Sequence, residues 1–246
     1  MRTIFVTAVA ILAMSAAADA ADLARVRPYP ARLPAETSVY LGWSGFYIGV
    51  NAGGGIANSK SDFNVAGGTP FASVNNYLPG AVGGGQAGFN LQSGAAVVGL
   101  ETDIQASSLK GGIMTPCAGG LCGLPLSASY NQNLPWFGTA RGRVGVAASG
   151  WLIYATAGWA YARLETDAFA SAPGATATFS LHEMRNGWTA GGGIEVAFAP
   201  SWSAKLEYLY LDFGNVVTTM SFAALPIVDD AHFTMNVMRA GVNYRF

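Results

Sequence analysis

The stretch Gly187–Gly214, GWTAGGGIEVAFAPSWSAKLEYLYLDFG, alternates on both sides of a single break. Before the break Trp188, Ala190, Ile194, Val196 and Phe198 share one parity, and Thr189 and Glu195 the other. After it Trp202, Leu206, Tyr208 and Tyr210 oppose Lys205 and Glu207. A period of two is that of a strand, whose successive side chains leave opposite faces. Ala199-Pro200-Ser201 supplies the turn, because Pro presets φ and small polar residues tolerate tight geometry. The stretch therefore reads as two antiparallel strands, 187–198 and 202–213, each with one apolar and one charged face.

The same alternation recurs on either side, at 43–57, 80–91, 95–105, 134–146, 151–163 and 233–246, which makes eight segments in all. The connections alternate long (58–79, 106–133, 164–186, 214–232) and short (92–94, 147–150, 199–201). Long loops at one end and tight turns at the other describe an up-and-down barrel in a membrane, with the long loops outside. Composition agrees: 51% of the 246 residues are hydrophobic and 11% are charged. A soluble surface needs about a quarter of its residues charged. No run after position 20 approaches the roughly 18 apolar residues of a spanning helix, which leaves closed strands as the spanning structure. The expected fold is all-β, an eight-stranded antiparallel up-and-down transmembrane β-barrel over 43–246. The formal net charge of -1 gives nucleic acid no electrostatic footing.

Parity then sorts the charges. Glu101 and Asp103 oppose Val98, Leu100 and Ile104; Arg141 and Arg143 oppose Trp136, Ala140 and Val144; Arg239 opposes Met238, Val242 and Tyr244. A basic group at the bilayer midplane costs about 2–4 kcal/mol, so the charged parity must face the lumen. Four acids (Glu101, Asp103, Glu195, Glu207) then meet four bases (Arg141, Arg143, Lys205, Arg239). Eight strands enclose a space that side chains just fill, so these groups are expected to pair in a charge network filling the lumen. Independently solvated charges in a narrow diffusion channel are the alternative. The fifth segment, LIYATAGWAYA, is apolar on both faces and its orientation stays open.

Other motifs are weaker. Glycine, at 32 residues, is expected at bends and crowded interior positions. GGGQAG, Gly83–Gly88, matches a dinucleotide fingerprint in spacing, but no helix-period pattern follows it. No cofactor is expected. Cys117 and Cys122 in CAGGLC are disulfide candidates once the chain is exported. The first twenty residues, MRTIFVTAVAILAMSAAADA, have the basic, apolar and small-residue regions of a secretory signal, with cleavage placed between Ala20 and Ala21. Residues 21–42, with Pro28, Pro30 and Pro34, read as an extended periplasmic leader. The histidines, His182 and His232, fall in the expected long loops beside Ser180, Ser221, Asp229 and Asp230. They are the residues from which a hydrolytic set, or a metal or haem contact, would be drawn. Polar loops carry such residues without catalysis, so the chain is read as non-enzymatic.

LGWSGFYIGVNAGGG, NLPWFGTARGRVGVA, WLIYATAGWAYA, the hairpin quoted first and the terminal MRAGVNYRF together resemble the outer-membrane beta-barrel family of alphaproteobacteria. That resemblance covers about position 43 to the end and includes porin-like major surface antigens. It implies an outer-membrane location amid lipid and lipopolysaccharide, and insertion by the assembly machinery through the terminal aromatic strand with Tyr244 and Phe246. It also implies roles in envelope integrity or host-surface contact, the latter through ligands of the long loops.

Overall fold

The computed structural model describes residues 42–65, 72–117, 126–172, 175–222 and 225–246. The signal and leader positions, including Ala20 and Ala21, lie outside these apart from Gly42. Eight strands run in chain order: β1 Gly45–Val65, β2 Ala72–Ser93, β3 Ala96–Cys117, β4 Leu126–Ala148, β5 Trp151–Ala172, β6 Ala175–Ala199, β7 Trp202–Phe222 and β8 Leu225–Arg245. Every neighbour is antiparallel, and β8 returns to β1 with Tyr47 opposite Arg245, closing the barrel. The three short turns fall at 94–95, 149–150 and 200–201. Ser149, at φ 48°, and Gly150, at φ 81°, take the left-handed backbone that so tight a reversal needs.

Parity orients every wall. Phe46, Val50, Leu100, Val144, Ile153, Ile194 and Leu206 point outward and are exposed to the surroundings of the barrel. Among the described residues, no charged one faces outward between the two aromatic ends of the wall. The polar exceptions are bonded: the Thr102 hydroxyl donates to the Thr139 carbonyl at 3.0 Å, and Tyr208 donates to Asn236 at 2.6 Å. One aromatic ring of residues lies by the short turns, with Trp202, Tyr244 and Phe246 in edge contact at 5.1 and 5.2 Å. The other comprises Trp136, Trp159, Tyr161, Trp188 and Tyr210. On β5 the girdles stand eight positions apart, at Trp151 and Trp159. At roughly 3.3 Å per residue and a tilt of about 40°, that is about 20 Å of height, close to the roughly 25 Å of an apolar lipid belt. The fifth strand, undecided from its sequence, puts Trp151, Ile153 and Trp159 outward and Leu152, Tyr154, Thr156 and Ala160 inward.

The strands correct one expectation. They are 21–25 residues long, so most of each expected long loop is strand continuing beyond the outer girdle. His182 and Ser180 accordingly lie on β6, Ser221 on β7, and Asp229, Asp230 and His232 on β8. In this outer half the wall divides. The β2–β3 ladder ends at Val82–Ser107 and the β6–β7 ladder at Trp188–Asp212, whereas β1–β2, β3–β4, β4–β5, β5–β6, β7–β8 and β1–β8 stay paired far beyond. Two four-stranded sheets result, β2-β1-β8-β7 and β3-β4-β5-β6. Bulges in β3 and β4, between Ala106 and Leu109 and between Asn133 and Trp136, fall at the height where the first fork opens. The Ser108 hydroxyl caps that fork by accepting from the Ala81 amide at 3.0 Å.

Candidate functional site in the barrel lumen

The inward parity of the inner half converges on one cluster. Arg141 holds Glu101, Asp103 at 3.0 Å and Glu207 at 3.1 Å. Arg239, from the last strand, reaches Asp103 at 2.8 Å and Glu207 at 2.6 Å. Lys205 Nζ donates to both oxygens of Glu101 at 2.9 Å. Arg143 donates to Glu195 at 2.8 Å, and Glu195 also accepts from Ser203 and from Asn243. The structure thus brings together all eight charges that parity assigned to the lumen, and each is almost completely buried. Planar guanidinium forks suit this place because one Arg can serve several carboxylates at fixed angles.

Two tyrosines complete the cluster, and parity alone did not mark them. Tyr47 of β1 donates to Glu101 at 2.7 Å and accepts from Arg143 at 2.9 Å. Tyr154 of β5 donates to Glu207 at 3.0 Å, and its ring lies 4.0 Å beneath the Arg143 guanidinium. Tyr47 shares the inward parity with Asn51, which was the available signal in β1; in β5 the doubly apolar pattern hid Tyr154. An amide chain extends the cluster to β2: Asn51 donates to Gln86, and Gln86 to Asn243 at 2.7 Å. All eight strands contribute.

Glycine makes the space. Six of the eight charges stand directly across from a glycine on a neighbouring strand: Glu101–Gly88, Arg141–Gly158, Arg143–Gly99, Lys205–Gly241, Glu207–Gly193 and Arg239–Gly53. A Cβ on Gly53 would come within 2.6 Å of the Arg239 Cα, and one on Gly158 within 2.6 Å of the Arg141 Cα. No real Cβ sits so close, so these positions admit no side chain without moving a strand.

Apolar groups lie on either side of the charged layer. Toward the outer end, Phe137, Leu109, Leu209, Leu211, Met235 and Val237 fill the lumen and are fully buried. Toward the short turns Trp43, Val97, Leu152 and Tyr154 pack together. Trp43 precedes β1 and tucks inside, its amide donating to Gln92 at 2.7 Å and its ring lying 4.6 Å from the Arg245 guanidinium. Arg245 also donates to the Gly42 carbonyl at 2.7 Å, tying the entry of the chain to its end.

The other candidates do not converge. Ser180 donates to Asp167 at 2.7 Å, while His232 meets Asn215 and approaches Asp212 at 3.6 Å. The side chains of Ser221, Asp229 and Asp230 lie outside the description, as do those of Cys117 and Cys122. Among the described residues no group of three His, Cys, Asp or Glu side chains is disposed to hold a metal.

A closed eight-stranded wall, apolar between two aromatic girdles and charged within, defines an integral β-barrel membrane protein. The chain matches the family model described as outer membrane protein beta-barrel domain over residues 5–246, and it belongs to that family. It is 33% identical over 257 aligned residues to the 31 kDa outer-membrane immunogenic protein of Brucella melitensis biotype 1, with 100% of each chain covered. It is 28% identical over 172 residues to the 22 kDa outer membrane protein of Rhizobium leguminosarum bv. viciae, covering 70% of this chain and 64% of that one. Among solved structures it is similar to the outer membrane protein OprG from Pseudomonas aeruginosa, at 12% identity and a TM-score of 0.48, over 84% of this chain and 99% of that one. The protein is thus an outer-membrane barrel of surface-antigen type.

Proposed function

We propose that the protein is a closed, non-enzymatic barrel that serves envelope structure and presents its outer hairpins at the cell surface. The observation that carries this reading is the two-layer filling of the lumen. A balanced set of four acids and four bases bridges the wall, and above it Phe137, Leu209, Leu211, Met235 and Val237 are wholly buried. Ions crossing such a bore must break paired charges and then enter an apolar plug, and each step costs several kcal/mol. The surface part of the reading is supported by strands that continue well beyond the outer girdle, and by a relative named for its immunogenicity. Planar-bilayer recording of the refolded protein tests the closed lumen: the expected trace is silent, and a steady open pore refutes it in favour of the diffusion channel. Shortening the four outer hairpins to tight turns tests the surface role. Binding to cells should vanish while the barrel still folds, and unchanged binding overturns it.

A further inference from the structure

The outer wall of the β3–β6 sheet holds a feature that the lumen does not explain. A cavity of about 510 Å³ opens there, with Gly111 and Gly112 forming its bare floor and Lys110, Asn131, Asn133 and Asp167 its rim. Two adjacent rungs build it across the strands. One sets Lys110 against Asn133, Glu165 and His182, and the next sets Gly112 against Asn131, Asp167 and Ser180. Because Gly112 has no side chain, the second rung is notched where the first carries Lys110.

The rim is held in place. Glu165 accepts from Arg163 at 3.0 Å and from Asn133 at 3.4 Å, and Asp167 accepts from Ser180 at 2.7 Å. Lys110, in contrast, makes no ion pair among the described residues, so its three donors are free to meet an incoming anion. Carboxamides that both donate and accept, carboxylates that accept and one free ammonium match a sugar's neighbouring hydroxyls together with an anionic substituent. A divalent cation fits poorly, because it asks for six or more converging oxygens and the Lys110 ammonium stands on the same rim. The position selects the source. The groove lies on the first rungs past the bulge at Trp136, the outer girdle residue opposite Arg163, at the height where lipid tails give way to headgroups.

We propose that this groove binds the phosphorylated saccharide of lipopolysaccharide in the membrane's own outer leaflet, with Lys110 on the phosphate and Asn131, Asn133 and Asp167 on the sugar hydroxyls. The site is separate from the lumen, and its occupancy does not depend on whether the lumen conducts.

The test titrates purified lipopolysaccharide into the full-length refolded barrel in neutral micelles, read by tryptophan fluorescence. Lys110→Ala combined with Asn131→Ala should weaken binding by about tenfold or more, the scale of two lost charge-assisted or polar contacts. Lys60→Ala, on the opposite sheet, should leave binding unchanged. Phosphatase-treated lipopolysaccharide should bind the native protein about as weakly as intact lipopolysaccharide binds the double variant. Asp167→Ala, which removes a sugar acceptor without touching Lys110 or Asn131, gives an independent loss should the double variant fold poorly. Equal binding by native protein and both groove variants overturns the proposal. So does an equal loss in Lys60→Ala, which would mean unspecific attraction to basic surface. A soluble phosphorylated oligosaccharide that binds as tightly as lipopolysaccharide would place the ligand outside the membrane and overturn the assigned source.

Discussion

Arg141 touches three buried carboxylates at once, and its removal takes a guanidinium partner from each of them. Arg141→Met should therefore destabilise the refolded barrel by about 3–5 kcal/mol, the cost of breaking a buried pair from one side. Urea unfolding in lipid vesicles measures it. Adding Glu207→Gln should restore part of the loss, and strictly additive effects would show that the two side chains do not interact. Glycines give a second test with a built-in control. Gly53→Ala drives a methyl into the Arg239 backbone and should cost about 1–3 kcal/mol, whereas outward Gly85, whose Cβ would lie 3.6 Å from the nearest atom, should accept Ala. Equal melting temperatures for the two variants would refute the crowding argument. The eight lumen charges were legible from parity because a lipid face forbids charge so strongly that any charge in a spanning strand reports its side. Tyr47 and Tyr154 were not, since an aromatic residue with one polar atom suits either face, and only the carboxylates beside them decide the matter.

The inner halves of the strands were readable for the same reason. In the outer halves, water on one side and a narrowed bore on the other let both faces mix polar and small residues, and alternation fades. Asn58-Ser59-Lys60-Ser61 in β1 shows the effect, with Ser59 and Ser61 buried and Lys60 exposed. Bulges in β3 and β4 add a shift of register that no local pattern announces. The apolar plug was missed because a Leu on the charged parity, such as Leu209 or Leu211 beyond Lys205 and Glu207, carries no mark of its own. Its role is testable apart from the charges. Phe137→Ala should cost about 3–5 kcal/mol through the cavity it leaves, seen as a lower unfolding midpoint. The charge layer beneath it remains intact, so bilayer recordings should stay silent, and a conducting Phe137→Ala barrel would show that the plug alone closes the lumen.

Closure of the whole wall depends on the first and last strands meeting. Tyr47 pairs with Arg245, the Phe246 amide donates to the Phe46 carbonyl at 3.0 Å, and no ladder is longer in sequence separation. Such a contact forms late, because loop-closure entropy must be met before it contributes. Phe246 itself adds little to the finished barrel: its ring is 75% exposed and touches Tyr244 at 5.2 Å. Phe246→Ala keeps the amide and removes only the ring, so the loss of stability should be about 0.5–1.5 kcal/mol, the value of one aromatic pair. If the terminal aromatic strand is read by the assembly machinery, the same change should lower the amount reaching the outer membrane several-fold in cells while refolding in vitro proceeds nearly as in the native protein. The two measurements separate a contact in the product from a signal in its delivery. Wild-type membrane levels of Phe246→Ala would refute the signal, and a matching loss in refolding yield would assign the residue to closure of the seam instead.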